Sequence, residues 1–344
     1  MQHEIKLTHF SHGSGCGCKI APSVLNKILK SAEPAFTDPR LLVGNDNRDD
    51  AAVYAIDDEN VIISTTDFFM PIVDDPVDFG MIASVNAISD VYAMGGKPIM
   101  AIAILGWPLN KLSPEIANLV LKGARQACKN AGISLAGGHS IDSPEPIFGL
   151  AVTGSAKRKS LLTNSGAKKD NHIYLTKPLG VGIMTTAMKA GLLGNQDFKA
   201  VRDSMITLNK PGEDLGTLEC VTSLTDVTGF GLLGHLIEMC EASNLSAKID
   251  FEMIPQFNGL KSYLDQKTIP GGTSRNYKSY GHKVNQLSEI QKTILCDPQT
   301  SGGLLIAVDH ENNEAFLDLL KRFNLNLQPI GKITEKKELA VYVE

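Results

Sequence analysis

The sequence lacks the features that would point to a membrane, a nucleic acid or a disulfide-stabilised secreted protein. Its 344 residues contain no run of about 18 apolar residues and no charged-then-apolar leader segment. A formal net charge of -5 with dispersed lysines and arginines gives no basic surface for nucleic acid. Most of the six cysteines are isolated, so a disulfide framework is not expected. We therefore expect a cytoplasmic protein with reduced thiols that binds neither nucleic acid nor membranes.

The common nucleotide-binding loops are absent as well. The sequence has no G-x-x-x-x-G-K-[ST] motif and no G-x-G-x-x-G motif that opens a helix after a strand, so P-loop and Rossmann binding are unsupported. Strand and helix patterns alternate in two blocks, and the length exceeds one ordinary core. We predict an α/β chain of two domains, with the polar, basic residues 156–170 as linker and residues 255–290 as a long surface loop.

Hydrophobic periodicity also predicts individual elements within the two blocks. In the first block these are a strand over 61–66 that ends at Asp67, a helix over 79–94, a buried strand over 98–105, a helix over 113–130 and a strand over 148–153. In the second block they include strands over 172–176, 247–252 and 304–308 and helices over 230–241 and 313–323.

The sequence does have a segment near its beginning that is typical of a reactive loop. Residues 11–19 place Cys16, Cys18 and Lys19 on a backbone that three glycines loosen. Because a nearby cation favours the thiolate, this pattern indicates a reactive loop that closes over a substrate. The two cysteines could instead be half of a zinc site, although a second Cys/His pair at suitable spacing is missing, or the segment could be a functionless tail.

Aspartates beside small residues form a second group of candidates: Asp49, Asp50, Asp67, Asp90 and Asp226. Mg²⁺ prefers carboxylate oxygens and phosphates need charge neutralisation, so aspartates that converge could form one metal and phosphate site. Simpler interpretations remain for some of them. Asp67 could be a turn residue or a helix cap, and Asp49 and Asp50 could belong to a solvated loop. Asp90 lies in an apolar helical stretch, where a carboxylate is harder to explain without a cation.

Seven blocks follow one another along nearly the whole chain. They are HGSGCGCK at 12–19, RDDAAV at 48–53, TTDFFMP at 65–71, NAISDVYAMGGKP at 86–98, AGGHS at 136–140, TDVTGFGLLGH at 225–235 and DPQTSGG at 297–303. In this order the blocks resemble the selenophosphate synthetase (selenide, water dikinase) family. Seven long blocks in register are a far more specific signal than any single short motif.

The resemblance implies a reaction, a fold and an assembly. ATP, selenide and water would give selenophosphate, AMP and orthophosphate, with Mg²⁺ and a monovalent cation such as K⁺. The implied fold class is α/β (α+β), a two-domain fold like that of aminoimidazole ribonucleotide synthetase, in which each domain is a mixed sheet backed by helices. Two N-terminal domains are expected to pair through their sheets as a homodimer, with ATP in a channel shared between the subunits.

The expected organisation is a mobile glycine-rich loop at 1–20, an ATP-binding, metal-binding and dimerisation domain at 21–155, the linker at 156–170 and a C-terminal α/β domain at 171–344. The resemblance also assigns residues. Cys16 and Lys19 match the essential cysteine and lysine of the loop, Asp50, Asp90 and Asp226 match metal ligands, and Asp67 matches an acid close to phosphate and metal. Asn47, Arg48 and Asp49, together with Gly138, His139 and Ser140, match nucleotide-contacting segments. Lys19, Asp67 and Asp90 are also expected to contact the nucleotide.

Three points stay open at this level. His139 follows two glycines, and such a histidine is commonly a hydrogen-bonded loop residue. A related ATP-dependent ligase would share the fold and the aspartates but would not need the Cys-Gly-Cys-Lys loop. A non-catalytic thiol or metal-binding protein would explain that loop but not the aspartates in separate glycine-flanked blocks.

Overall fold

The structure, a computed structural model, describes residues 5–20, 24–25, 27–28, 38–44 and 48–344. Within these ranges the chain forms two six-stranded sheets with helices packed against them. Each sheet contains both parallel and antiparallel strand pairs, so the predicted α/β class with a mixed sheet in each half is confirmed. In the part of the chain described, no helix combines the length and apolar character needed to span a membrane.

The first sheet has the strand order β1-β2-β3-β6-β4-β5. Its strands are Leu41–Val43 (β1), Ala52–Ala55 (β2), Asn60–Phe69 (β3), Lys97–Trp107 (β4), Ser134–Asp142 (β5) and Ile147–Lys157 (β6). Asp67 lies inside β3, opposite Leu150 of β6, so the prediction that it ends a strand was wrong. Two helices, Pro76–Ala93 (α1) and Pro114–Ala131 (α2), pack on one face of this sheet.

Helix α1 has clear sequence signals at both ends. The side chain of Asp75 accepts a hydrogen bond from the N–H of Asp78, and a proline occupies the first turn. Gly95 follows the helix with φ +71°, a conformation that favours glycine. The helix packs closely on α2 because a methyl group at Gly80 or Gly123 would lie 1.9 Å from a backbone oxygen of the other helix. This close packing leaves the opposite side of α1 free to carry polar residues toward the second half of the chain.

The second sheet has the order β12-β9-β11-β7-β10-β8. Its strands are His172–Leu175 (β7), Val221–Asp226 (β8), Ser246–Ile249 (β9), Leu304–Val308 (β10), Gly331–Thr334 (β11) and Val341–Val343 (β12). All five residues of β10 are buried. Leu304, Ile306 and Val308 pack with Phe316, whereas the alternate residues of the strand belong to the larger core on the other face. A strand covered on both faces is expected to be apolar throughout.

Eight helices are described in the second half: Val181–Lys189 (α3), Asn195–Met205 (α4), Pro211–Leu215 (α5), Gly231–Ala242 (α6), Leu260–Asp265 (α7), Gly271–Tyr280 (α8), Glu289–Leu295 (α9) and Glu314–Arg322 (α10). The predicted surface loop over 255–290 was therefore wrong, because α7 and α8 lie within it. Pro270 and the glycines after it begin α8 instead of marking a loop. The buried residues of α8 have helical spacing and include Gly272, Asn276 and Tyr280.

Residues 156–170 pack against the protein instead of spanning solvent. Strand β6 extends to Lys157, and two short 3₁₀ turns follow it. Asn164 is buried, and its carbonyl oxygen accepts hydrogen bonds from the hydroxyls of Ser223 and Ser243. Some polar groups of this segment therefore form hydrogen bonds inside the protein, while others face solvent. The proposed domain limits at 155 and 171 stay predictions.

Candidate active site

The described N-terminal residues 5–20 lie docked between the two halves of the molecule. The N–H of Gly15 donates to the carbonyl of Met70, which follows β3, at 3.0 Å. The carbonyl of Gly17 accepts a hydrogen bond from Arg275 of α8 at 2.7 Å. Residues Gly15–Cys18 form a 3₁₀ turn between these contacts. The loop is thus in a closed position, and its predicted mobility stays a prediction.

The docked loop buries the Cys16 thiol, which is 1 % exposed. Its S–H donates to Oδ1 of Asn86 at 3.3 Å, and its backbone N–H donates to the hydroxyl of Thr300 at 3.0 Å. Burial raises the pKa of Cys16, the charge of Asp67 raises it further, and Lys19 opposes both. In this conformation Cys16 is therefore a neutral thiol, although a nearby lysine was expected to favour the thiolate.

Lys19 links the loop to the carboxylate of Asp67. Its Nζ lies 3.3 Å from Oδ2 of Asp67. The same carboxylate oxygen accepts a hydrogen bond from Nδ2 of Asn86 at 2.5 Å. Burial lowers the pKa of Lys19, but the charges of Asp67 and its neighbours outweigh burial and hold that pKa above its usual value. Lys19 is therefore a fixed positive charge beside Asp67.

Asp50, Asp90 and Asp226 converge on this region, and with Asp67 they are called here the acidic cluster. Burial raises the pKa of Asp50 and Asp90 well above the usual range, and the charge of Asp226 is the next cause for both. Burial also raises the pKa of Asp226. Carboxylates that disfavour one another's ionisation are stabilised by a cation, which makes the cluster suited to positive charge.

Each of these three carboxylates also accepts a hydrogen bond from a hydroxyl group. The donors are Thr225 to Asp50 at 3.0 Å, Thr65 to Asp90 at 2.5 Å and Ser89 to Asp226 at 2.5 Å. The carboxylates come from separate elements, since Asp50 precedes β2, Asp90 lies on α1 and Asp226 ends β8. The two halves of the chain therefore build the cluster jointly.

The donor set fits Mg²⁺ bound together with a nucleotide. Among the described residues, no three His, Cys, Asp or Glu side chains stand together in an arrangement that could hold a metal ion by themselves. Mg²⁺ is commonly bound by one or two carboxylates, with water and substrate phosphates completing its coordination. The convergent buried carboxylates of the acidic cluster supply that type of ligand.

Two residues of the predicted nucleotide segment before β2 are bound within the protein. Oδ1 of Asp49 accepts the N–H of Asn164 at 2.7 Å, and the carbonyl of Arg48 accepts from Nδ2 of the same residue at 3.1 Å. The guanidinium of Arg48 lies 3.8 Å from a carboxylate oxygen of Glu238 on α6. Asn47 lies outside the described residues. These contacts fix the segment that leads to Asp50.

Gly138, His139 and Ser140 lie apart from the acidic cluster within this chain. They are exposed residues of β5, at the edge of the first sheet. Asp67 of β3 and Gly138 of β5 occupy the same row across the sheet, through Leu150 of β6 and Ala103 of β4. Neighbouring strands are about 4.8 Å apart, so roughly 14 Å separates the two backbones. The structure therefore does not bring this segment together with Cys16.

Several residues of the site were given no role by the sequence analysis. They are Asn86, Thr300, Ser301, Lys177, Asn209 and Arg275. Asn86 could have been found, because it precedes Asp90 by four residues on the same helix face. Thr300 and Ser301 belong to the DPQTSGG block, whose function the sequence left unassigned. Lys177, Asn209 and Arg275 are remote in sequence from every predicted site residue, so only the folded chain identifies them.

Two family models of AIR synthase related proteins match most of the first half of the chain and the whole second half. Residues 48–156 match the N-terminal domain of AIR synthase related proteins, and residues 168–344 match the C-terminal domain. The hydrogenase maturation protein HypE in complex with ATP has a similar structure, with a TM-score of 0.64 and 17% sequence identity over 99% of this chain and 89% of that one. At this identity the similarity establishes the fold alone.

Full-length relatives are much closer in sequence. The selenide, water dikinase of Pseudomonas putida (strain KT2440) is 57% identical over 343 residues, which cover 100% of both chains. That of Colwellia psychrerythraea (strain 34H) is 59% identical over 329 residues, which cover 96% of each chain. Both alignments cover at least 96% of this chain.

Proposed function

The chain belongs to the selenide, water dikinase family, and we propose that it uses ATP, selenide and water to make selenophosphate, AMP and orthophosphate. One phosphoryl group of ATP goes to selenium and the other goes to water, so the three phosphorus atoms are accounted for by selenophosphate, orthophosphate and AMP. Full-length relatives at 57% and 59% identity support this activity. They do not favour the alternative of a ligase with the same fold.

One observation carries the proposal: the loop brings a thiol and an ammonium group to the acidic cluster. Cys16 and Lys19 both lie beside Asp67, with Asn86 hydrogen-bonded to Cys16 and to the same aspartate. Sulfur is a soft partner that suits selenium better than oxygen does. A lysine beside the transferred group neutralises charge that builds on phosphate oxygens. The reaction needs these two groups close together.

Asp50, Asp90 and Asp226 are the proposed ligands for Mg²⁺, and Asp67 is the acid that holds Lys19 in place. Bound there with ATP, Mg²⁺ would neutralise phosphate oxygens and orient them. The hydroxyls of Thr65 and Ser89 orient two of the carboxylates. The dependence on K⁺ implied by the family resemblance stays a prediction without an assigned residue.

The protonation of Cys16 limits what it can do for selenide. A neutral thiol donates a hydrogen bond, as Cys16 does to Asn86, and cannot accept a proton. In the closed loop, the raised pKa keeps Cys16 from acting as a base, so its proposed role toward selenium rests on the soft character of its sulfur. Phosphoryl transfer depends chiefly on position and charge neutralisation, so this role is sufficient for the reaction.

The proposed assembly is a homodimer that pairs the first sheets of two copies. Phe68, Ile102 and Ile141 project from the sheet face opposite α1 and α2, and they are 50 %, 45 % and 61 % exposed. Apolar side chains grouped on one sheet face commonly mark an interface. Gly138, His139 and Ser140 share this sheet, so pairing would let a second copy supply the nucleotide-contacting segment that lies remote from Cys16 in one chain.

The proposed location is the cytoplasm. All six cysteines are unpaired in the structure, including the two of the loop. The proposed chemistry needs Cys16 as a free thiol, and reduced thiols persist in the reducing cytosol. A disulfide between Cys16 and another cysteine in protein isolated without reductant would argue against this assignment.

The experiment that tests the reaction is product analysis. The purified chain is incubated without oxygen with ATP, Mg²⁺, K⁺ and selenide, and nucleotides and orthophosphate are quantified by chromatography and a phosphate assay. We expect AMP and orthophosphate in equal amounts, and no AMP above background when selenide is omitted. ADP as the final nucleotide would show a kinase-like or ligase-like reaction and would overturn the proposal.

A further inference from the structure

Three consecutive residues of the DPQTSGG block each hold a different part of the site. The hydroxyl of Thr300 accepts the N–H of Cys16 at 3.0 Å, and the N–H of Ser301 donates to Oδ1 of Asn86 at 2.7 Å. The carbonyl of Gly302 accepts from Nδ2 of Asn209 at 2.8 Å. Residues 300–302 are called here the TSG segment. Its backbone position therefore fixes where the thiol and its hydrogen-bond acceptor lie.

The middle residue of the TSG segment has an unfavourable backbone conformation. Ser301 has φ +52°, in the left-handed region that favours glycine, and is 1 % exposed. Its hydroxyl finds no hydrogen-bond partner among the described residues. Such a conformation persists only where surrounding contacts impose it. Because the side chain of Ser301 makes no hydrogen bond of its own, its backbone contacts must hold it.

Lys177 supplies one of these backbone contacts. Its Nζ donates to the carbonyl of Ser301 at 2.9 Å and to the carbonyl of Thr207 at 2.7 Å. The residue follows β7 and is 7 % exposed. Burial lowers the pKa of Lys177 to about 7, although the charge of Asp226 opposes this shift. Both hydrogen-bond acceptors are uncharged carbonyls, so burial of this ammonium group is costly to the fold.

We propose that Lys177 is a positioning residue for the reaction, which holds the Ser301 carbonyl so that the Ser301 N–H keeps Asn86 against the Cys16 thiol. Lys177 acts on the thiol through two other residues, Ser301 and Asn86. It makes no hydrogen bond to the thiol or to the acidic cluster in the structure. The expected change in kcat rests on the proposed function. The alkylation rate of Cys16 tests the positioning role of Lys177 without depending on that function.

The test compares Lys177→Met with the intact chain. Met has a similar length and shape but cannot donate to either carbonyl. The rate of alkylation of Cys16 by N-ethylmaleimide is measured by mass spectrometry, with Cys18 in the same sample as internal reference. We expect Cys16 to react about tenfold faster in the variant, as for loss of one hydrogen bond to a charged donor, and Cys18 to change less than about twofold.

A second measurement separates positioning from general stability. Val341→Ala removes buried side-chain atoms from β12 in the second sheet and serves as the matched control. Both variants are compared at temperatures equally far below their own Tm. We expect Val341→Ala to leave Cys16 alkylation unchanged and Lys177→Met to lower kcat for selenide-dependent AMP formation with little change in the KM for ATP.

Other results would overturn the inference. Unchanged alkylation of Cys16 in Lys177→Met would show that Lys177 only stabilises the fold, as would an equal increase in Val341→Ala. If Lys177→Met does not fold, Lys177→Gln takes its place, because its neutral amide is one bond shorter and cannot reach both carbonyls. An alkylation rate of Cys16 equal to that of the intact chain would then contradict the inference in the same way. A chain that makes no selenophosphate at all would refute the proposed function but leave the alkylation result valid.

Discussion

The two parts of the candidate site differ in solvent exposure, since one is buried and the other is exposed. Cys16 and Asp226 are each 1 % exposed, and the docked loop covers them, whereas Gly138, His139 and Ser140 all lie exposed on β5. The buried part is built from both halves of one chain. The exposed part belongs to a single sheet, whose outer face carries no helix among the described elements.

The two sheets explain this difference. Strand β10 of the second sheet is buried on both faces, while β4 of the first sheet exposes Ile102 on the face opposite α1. A sheet covered on one face leaves its other face for solvent or for another protein. The buried part of the site is therefore complete within one chain, and the exposed part is where a second copy can contribute. The predictions below test each part separately.

The largest effect is expected at the acidic cluster. Asp90→Asn or Asp226→Asn should lower Mg-dependent ATP turnover by about a hundredfold or more, because each removes a negatively charged ligand for the Mg²⁺ that would neutralise the phosphates. The same substitutions remove repulsion between buried carboxylates, so Tm should not fall. Asp265→Asn, at an exposed carboxylate of α7, is the control for amide substitution. ATP turnover close to that of the unmodified chain in both cluster variants would refute the shared metal site.

The second prediction separates the two cysteines of the loop. Cys16→Ser should abolish selenide-dependent AMP formation, since a hydroxyl is a poor partner for selenium. Cys18→Ser should retain a substantial fraction, because the Cys18 thiol lies 4.0 Å from the sulfur of Met70, outside the acidic cluster. Lys19→Ala should resemble Cys16→Ser. An inactive Cys18→Ser together with an active Cys16→Ser would reverse the roles assigned within the loop.

The third prediction concerns the exposed part. Ile102→Asp combined with Ile141→Asp should convert a dimer to a monomer in sedimentation experiments and lower ATP turnover about tenfold, because two charges would be buried in the interface. Ile290→Asp is matched to these changes, since Ile290 is 51 % exposed in the second half of the chain. It should change neither property. A double variant that stays dimeric, or a monomer with full activity, would contradict the role given to this sheet face.

The smallest effect is a shift in the pH dependence of Cys16 alkylation. Burial and the charge of Asp67 raise the pKa of Cys16 above its ordinary value of 9.0, so the rate should still rise above pH 9. Lys19 opposes these effects, so Lys19→Ala should move the midpoint to higher pH and Asp67→Asn should move it lower. Reversed shifts, measured by N-ethylmaleimide kinetics over pH 7 to about 11, would show that the closed loop differs from the structure.

Sequence patterns predicted the fold and the members of the acidic cluster but not their supporting contacts. Asp90 was identified because an acid inside an apolar helix is unusual. Asn86 lies one turn earlier on the same helix, but a neutral amide in an apolar helix gives no comparable signal. Pro270 and the glycines that follow were interpreted as a loop, although the same residues can begin a helix. These errors concern local signals that have two structural meanings.

Long-range contacts set the other limit. Lys177 and Arg275 reach the site only through the folded arrangement of the second half. Nothing in their local sequence distinguishes them from surface cations. For Gly138 the sequence indicated a nucleotide segment, but it could not show that two strands of the sheet, β6 and β4, lie between this residue and Asp67. Residue roles are therefore easier to predict from a sequence than the distances between them.

The central claim is that Cys16 and the acidic cluster together transfer a phosphoryl group from ATP to selenium. The most direct test is ³¹P NMR of the reaction with ⁷⁷Se-labelled selenide, because a phosphorus atom bonded to ⁷⁷Se shows a split resonance. We predict this resonance, together with AMP, for the intact chain and its absence in Cys16→Ser. ATP consumption without a phosphorus resonance coupled to ⁷⁷Se in the intact chain would contradict the account.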